Sequence, residues 1–279
     1  MNIKLLVAAH KSYWMPSDSM YLPIHVGRKG KQDLGLGWQG DDTGDNISEK
    51  NAHYCELTGL YWAWKNLEAD AIGLVHYRRH FAGIDFFNSY KSTWYSRLLT
   101  LLYGLRTSSN IESKRASVIS SPRVERLLSF APVIVPPQRD YFIETVEDQY
   151  AHAHHRNDLI SLREVLVDRS PASLPAFDAL MHGTRTHLFN MFIMRRVEFN
   201  AYCTWLFDIL FELERRLDIS AYSKNDARVF GFVSERLLDV WLDSNAIPSV
   251  EVPIVFMESQ NWLKKGSAFL LRKLQGERL

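Results

Sequence analysis

The sequence predicts an α/β fold: a mostly parallel sheet flanked by helices, with a helical part toward the carboxyl terminus. Three observations carry this. Short unbroken apolar runs at 5–9, 71–75 and 131–135 are of the kind buried on both faces of a parallel sheet. Stretches with the helical spacing of apolar residues alternate with them along the chain. Polar residues then cluster directly after the runs, at the strand ends where open α/β sheets place their ligands.

Taken in order, the run 5–9 is the first strand, and it delivers His10 and Lys11 at its carboxyl end. Residues 27–46 hold six of the fourteen glycines and read as loop. Asn51 is placed to cap a helix running to about residue 67, with Glu56 inside it and Tyr54, Leu57, Leu60, Tyr61 and Trp64 on one face. The strand 71–75 again hands over to polar side chains. Residues 85–128 are an irregular insertion: an amphipathic stretch, WYSRLLTLLYGL, leads into a serine-rich basic one. It reads as a surface helix and loop, or as a lid or membrane-contacting segment. The strand 131–135 is stopped by Pro136 and Pro137. Helices follow at 144–155, 157–168 and 174–182, then a strand at 187–194, helices at 198–217 and 226–242, and a late strand at 250–256. Residues 1–261 make one domain. Residues 262–279 are a basic amphipathic tail with five Lys/Arg against one Glu.

Bulk properties exclude several classes. Hydrophobic residues make up 46% of the 279 and charged residues 23%, as in ordinary globular proteins. A net charge of +1 argues against a dedicated nucleic-acid binder. Cys55 and Cys203 lie in apolar helical patterns and read as buried thiols in a reducing compartment. The amino-terminal apolar run is a strand rather than a signal peptide, and no apolar stretch approaches the roughly 20 residues that span a bilayer. The expectation is a cytoplasmic protein, or one peripheral to the inner face of the plasma membrane through the 262–279 tail.

Five groups of residues carry chemistry. Asp41, Asp42, Asp45 and Asn46 on a glycine-containing loop are able to accept hydrogen bonds from sugar hydroxyls or to hold a divalent cation, or else form a solvated turn. His76-Tyr77-Arg78-Arg79-His80 follows a buried strand. Guanidinium groups there suit a diphosphate; the alternative is salt-bridging to the Asp41–Asp45 loop. His152 and His155 share a helical face, but no other zinc ligand accompanies them; they read as an exposed, hydrogen-bonded cluster, or else as placing His155 near an acceptor pocket. Asn190 interrupts an apolar strand and needs hydrogen bonds there, which a sugar would supply. Glu235, in an apolar setting that raises its pKa, is either a general base or half of an ion pair with Arg236 or Arg228.

These residues resemble a known family. LVAAHK at 6–11, MPSDSMYLPIHVG at 15–27, DDTGDNISEKNAHYCELTGLYWAWKN at 41–66 and GLVHYRRHF at 73–81 are similar to the bacterial DUF4422 proteins. The likeness continues through YFIETVEDQYAHAHH at 141–155, NMFIM at 190–194 and ARVFGFVSERL at 227–237. Those proteins are glycosyltransferase-like members of capsule, exopolysaccharide and O-antigen synthesis, and some are galactofuranosyltransferases. The resemblance implies a GT-A-like, Rossmann-related fold and transfer of a sugar from a nucleotide donor, UDP-linked, to a lipid-linked glycan acceptor. It implies donor binding by His10, Lys11, Asp41, Asp42, Asp45, Asn46, Glu56, His76, Arg78 and Arg79. Sugar or acceptor contact falls to Asn190 and His155, and deprotonation of the acceptor to Glu235 if the reaction inverts. No cofactor is expected, because arginines stand where an Asp-x-Asp would hold a metal; manganese or magnesium is the alternative. The competing reading is a non-catalytic glycan-binding or scaffold subunit of the same pathway.

Overall fold

The computed structural model describes residues 1–83 and 110–258. The amphipathic stretch at 94–105 and the 262–279 tail lie outside the described residues. The strands are β1 (Ile3–Ala9), β2 (Tyr21–His25), β3 (Gln39–Gly40), β4 (Ala71–His76), β5 (Arg79–Phe81), β6 (Val133–Val135), β7 (Arg139–Asp140), β8 (Arg185–Thr186), β9 (Phe192–Arg195), β10 (Ser249–Glu251) and β11 (Ile254–Phe256). The helices are α1 (Asn51–Tyr54), α2 (Leu57–Asn66), α3 (Ile111–Ala116), α4 (Ser121–Leu128), α5 (Val146–Ala153), α6 (Arg156–Arg169), α7 (Leu174–His182), α8 (Arg196–Arg216) and α9 (Val229–Ser244).

The main sheet has the order β10-β6-β9-β4-β1-β2-β3, with β5 paired to β4 and β11 to β5. β1 is parallel to β2 and β4, β2 to β3, and β6 to β10. Only β9 runs against its neighbours β4 and β6 on this path. The sheet is therefore mixed and mostly parallel. Six carboxyl ends share one edge, and the amino end of β9 joins them there.

The apolar runs fold as central strands because both sheet faces are covered. Side chains alternate along β1: Leu6 and Ala8 face a core built with α2, α8 and α9, while Leu5, Val7 and Ala9 face one built with α4. Each fully buried Leu or Val contributes about 1.5–3 kcal/mol. β4 packs so closely between β1 and β9 that position 73 admits only glycine: an added Cβ would lie 2.6 Å from the Phe192 carbonyl oxygen. Among the described residues, no helix is long and apolar enough to cross a membrane.

Three expected elements differ. The helix expected at 51–67 breaks at Cys55, whose φ is 53°, giving α1 and α2. Asn51 does not cap it; its amide donates to the Cys55 carbonyl and to Thr58 Oγ1, bracing the break. The strand expected at 187–194 shortens to β9, because Phe189 and Asn190 take left-handed φ values of 80° and 50° and turn the chain. The strand expected at 250–256 splits into β10 and β11 around Pro253, each with a different partner.

Candidate active site

The topology gathers chemistry at one edge. α2 leads into β4 and α9 leads into β10, so both helices start at the edge where the parallel strands end. Glu56 precedes α2, Arg228 precedes α9, and Gly231, Ser234 and Glu235 occupy the first two turns of α9. Asn190 arrives from the turn before β9. The site is thus assembled from segments far apart in sequence.

Asn190 is its hub. The side chain is buried, and Nδ2 donates to Glu56 Oε1 at 2.9 Å and to the Gly231 carbonyl at 3.0 Å. Its Oδ1 accepts from Ser234 Oγ at 2.8 Å. Glu235 keeps 19% of its side chain exposed, and Arg236 Nη1 donates to it at 3.0 Å. Burial raises its pKa and the nearby Glu56 carboxylate adds to this, against the opposing pull of Arg236 and Arg79. The pair with Arg236 considered from sequence is formed, and the raised pKa persists beside it.

The HYRRH motif folds as a tight hairpin, with His76 opposite Arg79 and Tyr77-Arg78 at the turn. This turn, rather than strand alternation, separates the two arginines. Arg78 points outward, with Nη1 3.6 Å from Glu258 Oε2. Arg79 turns inward, its guanidinium 4.1 Å from the Phe189 ring centroid. Burial and Arg78 lower the pKa of Arg79, while Glu235 and Glu56 act to raise it. Neither arginine pairs with the Asp41–Asp45 loop.

The histidines of the motif bring no charge. Burial, then Arg79 and Arg78, push His76 down to about 3. His80 is buried between Trp14 and Tyr21, and burial lowers it to about 4. The charge expected from this stretch is therefore that of its two arginines alone. Tyr77 is buried at the hairpin turn, with His10 edge-on at 5.4 Å, Tyr13 at 4.9 Å and Lys11 Nζ 5.5 Å from its centroid. Burial, then Lys11 and Arg78, lower the pKa of His10.

Arg228 closes the other side. Its Nε donates to Cys55 Sγ at 3.1 Å, and Glu56 and Glu235 help to raise its pKa against the effect of burial. Burial pushes the Cys55 thiol up to about 11, so it stays protonated at neutral pH.

The structure thus brings together Glu56, Arg79, Asn190 and Glu235, with His10, Lys11, His76 and Arg78 beside them. It does not bring the 41–46 loop into the group. Asp41 is buried, and its two oxygens accept from the Gly27 and Arg28 amides and from the Ser48 and Thr58 hydroxyls. It pins the glycine-rich loop and has no capacity left for a sugar. Asp42 lies 3.9 Å from Arg28. Asp45 bonds to Tyr61 and to Asn66, and the Asn46 amide bonds to Gly44. Asn66 ends α2 and Glu56 begins it, about 15 Å apart for a ten-residue helix. Asp45 and Asn46 are therefore separated from the hub.

His155 stacks on Tyr222 at 4.2 Å with Nε2 3.9 Å from Asp226, beside the turn that leads to Arg228. Sequence reasoning passed over Tyr77, Phe189 and Ser234 and met Arg228 only as an ion-pair partner. Tyr77 was legible as a member of HYRRH; the others carry no local signal. Two surface concavities lie elsewhere, one around Asn2, Asp70 and Arg196 and one around Trp64 and Trp205, and neither includes a predicted site residue. Among the described residues, no group of three or more His, Cys, Asp or Glu is arranged to hold a metal ion.

Comparison with known proteins adds to this geometry. The model of a family described as "Domain of unknown function (DUF4422)" matches residues 4–246. A solved structure described as a WbbM bifunctional glycosyltransferase in its apo form is similar to the chain, with a TM-score of 0.77 and 26% identity. The match covers 93% of this chain and 46% of that one, so the chain spans less than half of that protein's length. No curated protein matches.

Proposed function

The chain belongs to the DUF4422 family, and on that footing we propose that it is a glycosyltransferase that moves a sugar from a nucleotide donor to a glycan acceptor. One observation carries the reading: Arg79, Glu56, Asn190 and Glu235 converge at the carboxyl edge of a sheet shared with a bifunctional glycosyltransferase. The donor is UDP-linked, with galactofuranose as the sugar, and the acceptor is a lipid-linked glycan of capsule, exopolysaccharide or O-antigen synthesis.

In this mechanism His10 and Lys11, packed over the buried Tyr77 ring, receive the nucleotide side of the donor. Arg78 and Arg79 hold the diphosphate with charge-assisted hydrogen bonds and take the charge of the leaving UDP without a metal. Neutral His76 contributes shape and an acceptor nitrogen, which faces the Arg78 amide at 3.3 Å. Asn190, its amide hydrogens given to Glu56 and Gly231, orients Glu56, whose carboxylate is presented to the sugar. Glu235 removes the proton of the acceptor hydroxyl as its oxygen bonds to the anomeric carbon. The bond from that carbon to the phosphate oxygen breaks on the opposite side, inverting the centre. A raised pKa suits Glu235 to this role, because a base is most effective near the working pH.

Thermal unfolding against a panel of nucleotides and nucleotide sugars, with and without EDTA, tests the reading. A ligand bound only by the folded state raises the melting temperature by mass action. The proposal expects a rise with UDP and UDP-sugars that EDTA leaves in place. No rise with any nucleotide would favour glycan binding without turnover.

A further inference from the structure

His187 lies outside every role assigned so far, yet it is buried at the start of the turn that carries the site. Its Nδ1 is hydrogen-bonded to Asp239 Oδ1 in α9, and its Nε2 lies 3.6 Å from Glu251 Oε1 on β10. Asp239 Oδ2 also accepts from the His187 amide and from Thr186 Oγ1, both at 2.8 Å. The chain then passes within three residues to Phe189 and Asn190, at φ of 80° and 50°. Consecutive non-glycine residues in this region persist only where the surroundings over-determine them. Asn190 holds the far end of the turn through Glu56, Gly231 and Ser234. The near end is held by the His187 ring, wedged between a helix and a strand.

We propose that His187 is a positioning residue: a buried imidazolium, clamped by Asp239 and Glu251, that fixes the 187–190 turn and so aims Phe189 at Arg79 and Asn190 at Glu56. The clamp stands on geometry alone; its consequence for catalysis rests on the glycosyltransferase reading. The charges facing the ring are Asp239 and Asp243 from α9 and Glu251 from β10. Burial by itself would lower the pKa of His187, but the hydrogen bond to Asp239 and the Glu251 carboxylate 3.6 Å away outweigh it and lift it to about 9. A pKa raised on folding adds stability that is complete below the unfolded value of about 6.5 and is lost as pH rises through about 9.

The test uses the full chain labelled with 15N-histidine and 15N-asparagine. The imidazole of His187 and the side-chain amide of Asn190 are followed by NMR as pH is raised. The proposal expects a charged ring at pH 7 and one shared midpoint near pH 9 for both signals. Glu251→Gln, at a half-exposed side chain that folding tolerates, moves that shared midpoint to lower pH. The rate of sugar transfer follows with an alkaline limb at the same midpoint, displaced equally in Glu251→Gln and absent in His187→Gln. A neutral ring at pH 7, or an Asn190 amide that ignores the titration, overturns the proposal. Shared NMR midpoints without sugar transfer would uphold the clamp and count against the transferase reading instead.

Discussion

Replacing Asn190 with aspartate isolates the hub of the site with little change of shape. Aspartate tolerates the left-handed backbone almost as well as asparagine, so the turn itself is not strained by the exchange. Two donated hydrogen bonds vanish, to Glu56 Oε1 and to the Gly231 carbonyl, and an acceptor then faces two acceptors. The bond from Ser234 Oγ survives, because it is accepted in both cases. A bond to a carboxylate contributes about 1.5–3 kcal/mol and one to a neutral carbonyl about 0.5–1.5 kcal/mol, so the loss is about 2–4.5 kcal/mol. At roughly 2–4 °C per kcal/mol, Asn190→Asp melts about 4–18 °C below the wild type at neutral pH. The introduced carboxyl has its pKa raised in the folded state, and its destabilising effect fades as pH falls and a donor is restored. Thermal unfolding by circular dichroism across pH 4.5–8 reads both effects, on the scale of about one unit per 1.4 kcal/mol. A melting point within about 1 °C of wild type at neutral pH, or a gap that does not narrow in acid, refutes the hub.

The other expectations concern the base and the sheet. Glu235→Gln lowers the transfer rate by about 10²–10⁴-fold while nucleotide binding is kept. Because the base acts when ionised, the acid limb of the wild-type rate profile lies above the ordinary carboxylate range, and the variant lacks it. Gly73→Ala drives a Cβ against the Phe192 carbonyl and Leu5, and costs about 1–3 kcal/mol or more in urea unfolding with no change in site chemistry.

Much of the fold was legible because buried parallel strands leave a local trace. The runs at 5–9 and 71–75 are apolar on both faces, and the residues after them fall at the sheet edge that carries the site. The turns were not legible. Nothing in the sequence around Cys55 or Phe189 marks a left-handed backbone, since neither position holds the glycine that usually announces one. Asp41 misled for a different reason. An aspartate on a glycine-rich loop looks the same whether its oxygens face a ligand or are saturated by the chain, and only tertiary contacts separate the cases. HYRRH was read as a cationic cluster, but burial beside two arginines removes the charge from His76. Arg228 joins the site through the break after α1 and the entry of α9, a meeting of segments 173 positions apart.

In the proposed mechanism Arg79, stacked on Phe189 under the influence of the Glu56 and Glu235 carboxylates, receives the diphosphate of a nucleotide sugar. Calorimetric titration of UDP into the wild type and into Arg79→Ala, both with EDTA present, tests it most directly. Loss of charge-assisted bonds of about 1.5–3 kcal/mol predicts affinity about 10–100-fold weaker in the variant, with the wild type binding without added metal. Equal affinity in the two proteins, or no binding of UDP by the wild type, would contradict the account.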